Sequence, residues 1–111
     1  MGLDMYLYTK DKEGKEVEVT YWRKHPNLHG YIEQLYRERG GSKEFNCIEF
    51  ELEKEDLENI LKNSKENTLP KTTGFFFGES CEEDNEHTIE AMERAIELLN
   101  EGEKIFYNSW W

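Results

Sequence analysis

No apolar run in this chain approaches the roughly eighteen residues that a membrane-crossing helix needs, so no such helix is expected. The opening Met1-Gly2-Leu3-Asp4-Met5 lacks the basic stretch and apolar core of a signal peptide. It also lacks a Ser or Thr near position six, and myristoylation of Gly2 is therefore not indicated. Cysteine is scarce: Cys47 and Cys81 stand far apart and outside any metal-ligand spacing. A small secreted domain held by disulfides carries more of them, so the pair reads as reduced thiols in a cytoplasmic protein. Basic residues are outnumbered, 14 Lys and Arg against 25 Asp and Glu, for a net charge of -11. That balance disfavours duplex nucleic acid, whose phosphates call for a basic face, and suits a basic partner surface.

What is present is charge and aromatic area. Apolar residues make up 36% and charged residues 35%, but aromatics reach 14% and supply the large buried areas on which small cores depend. At 111 residues the chain reads as a single domain, residues 1–111, able to fold around one core.

Residues 3–8 alternate Leu3, Met5 and Leu7 against Asp4, Tyr6 and Tyr8, the period of a half-buried strand. Asp11 to Gly14 forms a turn, and residues 16–22 alternate again, with Val17, Val19 and Tyr21 expected on one face, which makes a hairpin. Pro26 opens a helix whose stripe is Leu28, Ile32, Leu35 and Tyr36 and whose stop is Gly40-Gly41. A third strand is expected over 45–52 and a short helix from Glu53 to about Lys65. Gly74 to Gly78 reads as a short extended segment and Glu79 to Asn85 as an acidic loop. Thr88 to Asn100 is the clearest helix, with Ile89, Met92, Ile96 and Leu99 inward, and Lys104 to Trp110 closes as a strand. The order ββαβα(β)αβ describes an α+β domain, a mostly antiparallel sheet of four to five strands with three helices over one face.

The stretch from Tyr21 to His29 gathers two aromatics, two fixed cations and two histidines in an acidic chain. Arg23 and Lys24 offer charge to a phosphate or carboxylate, Trp22 offers a face for a ring, and the helix start at Pro26 adds free N–H groups. With His29 these are the parts of a pocket for a flat anion; a strand end with a buried Trp and two solvated cations is the plainer reading. His25, His29 and Glu33 recur at intervals of four, as zinc ligands on one helix face would. Pro26 pushes His25 out of helical geometry, so the pair reads as surface histidines, and neither a metal nor a cofactor is called for. Cys47 with a histidine permits a nucleophile, but no local signature accompanies it and a thiol on a strand is commonly buried. Two tryptophans near the C-terminal end imply docking on the sheet, a dimer contact or a partner patch.

Several segments together resemble a family of small phage and prophage proteins that open MGLDMYL and have no assigned activity. The matching pieces are Met1 to Leu7, Tyr21-Trp22-Arg23-Lys24, Leu28-His29, Asn46-Cys47, Leu69-Pro70, Gly74 to Gly78, Thr88-Ile89-Glu90 and Tyr107 to Trp110. This chain departs from the pattern at Pro26, where the family carries Asn, and at Tyr31, where it carries Trp. The resemblance implies a phage-type accessory protein acting in the host cytoplasm. It further implies that Trp22, Arg23, Lys24, His29, Ser109 and Trp110 share one ligand-binding site, brought together where strand two, helix one and the last strand meet.

Three functions fit these features. The first is a binder, plausible in counter-defence, that sequesters an anionic, nucleotide-like small molecule without turnover. The second is an acidic inhibitor of a basic host protein, carrying its charge in Glu49–Glu58 and Glu79–Glu86. The third is a small phosphoester hydrolase or transferase with His29 as acid/base and Arg23 on the phosphate. A homo-oligomer is compatible with the aromatic-rich ends.

Overall fold

The structure is a computed structural model that describes residues 2–72 and 80–111, so the extended segment expected at Gly74 to Gly78 lies outside the described residues. Alternation along β1 (Asp4–Lys10) sends Met5 and Leu7 into the core and leaves Asp4, Tyr6, Tyr8 and Lys10 on the opposite face, where Tyr8 is itself covered to 4% exposure. The Asp11 carboxylate accepts the N–H groups of Glu13 and Lys15, each at 2.9 Å, and Gly14 supplies the left-handed φ of +82° that returns the chain into β2 (Glu16–Arg23). Pro26 then starts α1 (Pro26–Glu38), followed by β3 (Phe50–Leu52), α2 (Lys54–Glu66), α3 (Glu82–Asn100) and β4 (Ile105–Trp110).

Four strands and three helices thus make up the described residues, in the sheet order β2-β1-β4-β3 with every pair antiparallel. The fold is α+β. The core joins Met5, Leu7, Trp22, Ile105 and Tyr107 of the sheet to Leu28 and Ile32 of α1, Leu57 and Ile60 of α2, and Met92 and Ala95 of α3. No described helix covers the other sheet face. Among the described residues no helix is long and apolar enough to cross a membrane.

Four local expectations are corrected. A bulge between Leu7 and Tyr8 lets Leu7 pair with Thr20 but Tyr8 with Glu18, and Val19 is the extra residue. Beyond it the strand changes phase: Trp22 turns into the core and Tyr21 lies on the helix-free face beside Tyr6, with ring centroids 5.3 Å apart. The third strand shrinks from 45–52 to three residues because Cys47 adopts φ +59°, which no strand accommodates.

The acidic loop is the third correction. Glu82 to Asn85 forms the first turn of α3, entered through a reciprocal cap in which Asp84 accepts the Cys81 N–H at 2.8 Å. Carboxylates there face the positive end of the helix, so the charge run that looked like solvated loop is a helix start. Finally, the buried stripe of α3 is Thr88, Ala91, Met92 and Ala95, with Ile89 only partly covered.

Candidate functional site

The sheet divides the six residues expected to share a site. Trp22 is buried under α3 and donates its indole N–H to Thr88 Oγ1 at 3.0 Å. His29 is fully buried between α1 and the sheet, its Nδ1 2.7 Å from the Tyr107 hydroxyl and its ring stacked on Phe45 at 5.3 Å. Burial pushes its pKa down to about 4, so the imidazole is neutral at physiological pH and cannot serve as an anion-binding cation. Ser109 is also buried and faces the Phe45 carbonyl. These three belong to the packed side.

Arg23, Lys24 and Trp110 are exposed. Lys24 adopts φ +60° at the corner after β2, where its N–H bonds the Leu3 carbonyl at 2.8 Å. Arg23 and Trp110 lie on the helix-free face, each paired across the sheet with Asp4 from opposite sides. The sheet thus places Arg23 and Trp110 on one face with β1 between them, while Trp22, His29 and Ser109 lie beneath.

The helix-free face carries the rows Arg23–Asp4–Trp110, Tyr21–Tyr6–Asn108 and Glu18–Tyr8–Phe106–Glu51. Aromatic rings run across it: Tyr6 beside Tyr21, Tyr8 stacked on Phe106 at 5.7 Å, and Trp110 65% exposed. Carboxylates border the rings. Asp4 accepts the Tyr21 hydroxyl, Glu16, Glu18 and Glu51 stand on the strands, and Glu49 pairs with Lys10 at 2.5 Å. Lys10 also sits 4.8 Å from the Phe106 ring centroid. Among the described residues five acids thus meet two cations on this face, and one of those cations is already paired.

A second candidate is a polar cleft of about 550 Å³ where the start of α1, the end of α2 and the head of α3 meet, with Asn27, Ser64, Asn67, Ser80 and Asn85 in its walls. His25 is buried here, not surface-exposed as expected, and its Nδ1 lies 2.7 Å from Ser80 Oγ. The pair has the composition of a Ser–His nucleophile, but its geometry serves another end. Ser80 Oγ accepts the Asn27 N–H at 3.1 Å, and no carboxylate among the described residues hydrogen-bonds His25 Nε2 to orient the ring. Burial lowers the His25 pKa to about 4, against Asp84, which raises it. Ser80 ties the head of α1 to the entry of α3.

Cys47 is exposed rather than buried, and it opens onto the helix-free face with its Sγ 3.6 Å from Asn46 Oδ1. His29 lies under the opposite face, so the two do not form a nucleophile and base. Residue pattern had drawn attention to the corner at Tyr21–His29; the aromatic and acidic face was missed. Its signal was the run of Asp4, Tyr6 and Tyr8, with Phe106, Asn108 and Trp110, on the strand side opposite the core.

Comparisons with protein-family models, with curated proteins and with solved structures find no match to this chain.

Proposed function

We propose that this protein is a non-enzymatic docking module that presents its helix-free sheet face to a basic protein surface. The observation that carries this reading is the aromatic face itself, with Trp110 standing out of it and five carboxylates bordering it. Large rings at low rotamer cost are suited to anchor an interface, and bordering charge selects and steers a partner of opposite sign. On this reading the partner is a basic host protein met in the bacterial cytoplasm, and the module acts as its inhibitor.

The test is titration of the protein with an arginine-rich peptide at increasing salt. Binding should weaken with salt and be abolished by Glu18→Lys with Glu51→Lys. Glu82→Lys with Glu83→Lys, at the head of α3 on the helical side, should leave it intact. Salt-independent binding, or loss only with the α3 reversals, would move the interface away from the sheet.

One observation favours the sequestration of an anionic ligand: Arg23 and Trp110 share a row and are both exposed. A flat anion would stack on Trp110 and pair with Arg23, but it would have Asp4 between them. With His29 neutral and buried, we rank this second.

A further inference from the structure

On the docking reading above, one point of the sheet face is built to take a single side chain. A trough of about 360 Å³ lies between Tyr6 and Tyr8 of β1 and Trp110 of β4, with Asn108 and Ser109 beside them, Cys47 on one flank and Glu16 on the other. We infer that this trough is the subsite for one arginine guanidinium of the partner, stacked among the aromatic rings and paired to Glu16.

The lining decides the charge of the occupant. It contains a carboxylate and three aromatic rings, and none of its described residues is a lysine or arginine. The negative field extends beyond Glu16. The Tyr8 phenol is pushed up to about 12 by burial and by Glu49 and Glu16, and the Tyr6 phenol is raised by burial, Asp4 and Glu18. A phosphate or carboxylate entering here would meet all of them at close quarters. A cation gains from the same groups and from the ring faces, which attract positive charge.

The chain itself supplies a neighbouring instance of this chemistry. Lys10 lies over Phe106 and pairs with Glu49, so an ammonium, a ring and a carboxylate already combine on this face. The trough offers the same three elements with the cation missing from its lining. A guanidinium suits it better than an ammonium because it is planar, stacks on a ring, and presents two parallel N–H groups to one carboxylate.

The position of Cys47 makes the inference measurable. Its thiol is exposed and flanks the trough, whereas Cys81 sits at the head of α3 away from it. Iodoacetamide alkylation of both thiols, read by peptide mass mapping, would be followed with and without a short peptide carrying one arginine among several lysines. The expected result is alkylation of Cys47 slowed several-fold, Cys81 unchanged, and protection lost when citrulline replaces the arginine. Glu16→Gln and Trp110→Ala, both at exposed positions, should each weaken the protection by about tenfold.

Equal protection by the citrulline peptide would overturn the inference. So would protection of Cys47 in the free protein that grows with its concentration, since a second copy would then occupy the trough. If the peptide binds in a salt-sensitive way that Glu18→Lys and Glu51→Lys abolish, yet Cys47 stays fully reactive, the docking reading stands and the trough inference falls. If no cationic peptide binds at all, both fall.

Discussion

Arg23 and Trp110 occupy one row of the helix-free sheet face, about 10 Å apart, on the two strands that flank β1. Between them stands Asp4, and the two readings of the face make opposite demands on Arg23. An anionic ligand needs it; a basic partner is repelled by it. Arg23→Glu should leave stability within about 0.5 kcal/mol, since the side chain is exposed and makes no ion pair among the described residues. It should tighten binding of an arginine-rich peptide. Urea unfolding with peptide titration checks both, and weaker binding would count against the basic partner.

Burial of His29 and His25 gives the fold a pH signature. Both His29 and His25 have pKa values lowered to about 4 by burial, against an ordinary 6.5. Near pH 8 both rings are neutral in folded and unfolded chains alike, and neither shifts the balance. As pH falls from 6.5 toward 4, the unfolded chain binds protons that the folded chain refuses, so stability is lost across that window. The loss reaches about 3 kcal/mol for each histidine once pH is below 4. Urea midpoints at pH 8, 6.5 and 5 should fall in that order. His29→Gln, less stable at pH 8, should show the shallower decline.

Asp56 joins two helices. Its carboxylate caps α2 by accepting the Glu53 N–H at 2.8 Å and also receives the Arg39 guanidinium just past the end of α1. Asp56 is 4% exposed, and Asp56→Ala removes both the cap and the closest partner of Arg39, which keeps the Glu51 carbonyl at 3.3 Å. The expected cost is about 2–3 kcal/mol in chemical denaturation. Arg39→Ala should cost about as much or more, because it leaves the buried carboxylate without its cation.

Gly30 on α1 lies against Thr72, where an added Cβ would come within 1.9 Å of Oγ1 and 2.8 Å of Cβ. Alanine in mid-helix ordinarily gains about 1 kcal/mol over glycine. Here overpacking, costing about 1–3 kcal/mol, outweighs that gain and displaces the Thr72 N–H from Asn27 Oδ1. Gly30→Ala should therefore lower the melting temperature, and Thr72→Gly in the same chain should restore most of it.

The α+β class and the existence of all seven described elements were legible because their signals are local. Met5 and Leu7 alternate with Tyr6 and Tyr8, Pro26 opens α1, and Gly102, with φ +94°, stands between α3 and β4. The phase of β2 was not legible, because the bulge at Val19 depends on how β1 and β2 register. Nor was the shortness of β3, which follows from the left-handed turn at Cys47. The start of α3 was readable in principle, since acids crowd the first turn of a helix and Asp84 stands three residues after Cys81. The division of the six candidate residues between the two sheet faces was not legible either. Trp22 and Arg23 are neighbours in sequence, and a strand sends neighbours to opposite sides.

The sheet order β2-β1-β4-β3 bears on folding as well as on shape. The β1–β2 hairpin needs only the turn at Asp11–Gly14 and can form early. Its other edge then waits for β4, whose Trp110 pairs with Asp4 from the far end of the chain, and β3 finds a partner only after β4 has arrived. Until that closure, β1 presents an open edge flanked by Tyr6 and Tyr8, the kind of edge that pairs between molecules. Refolding should accordingly be slow for a chain of this size, and its yield should fall as protein concentration rises.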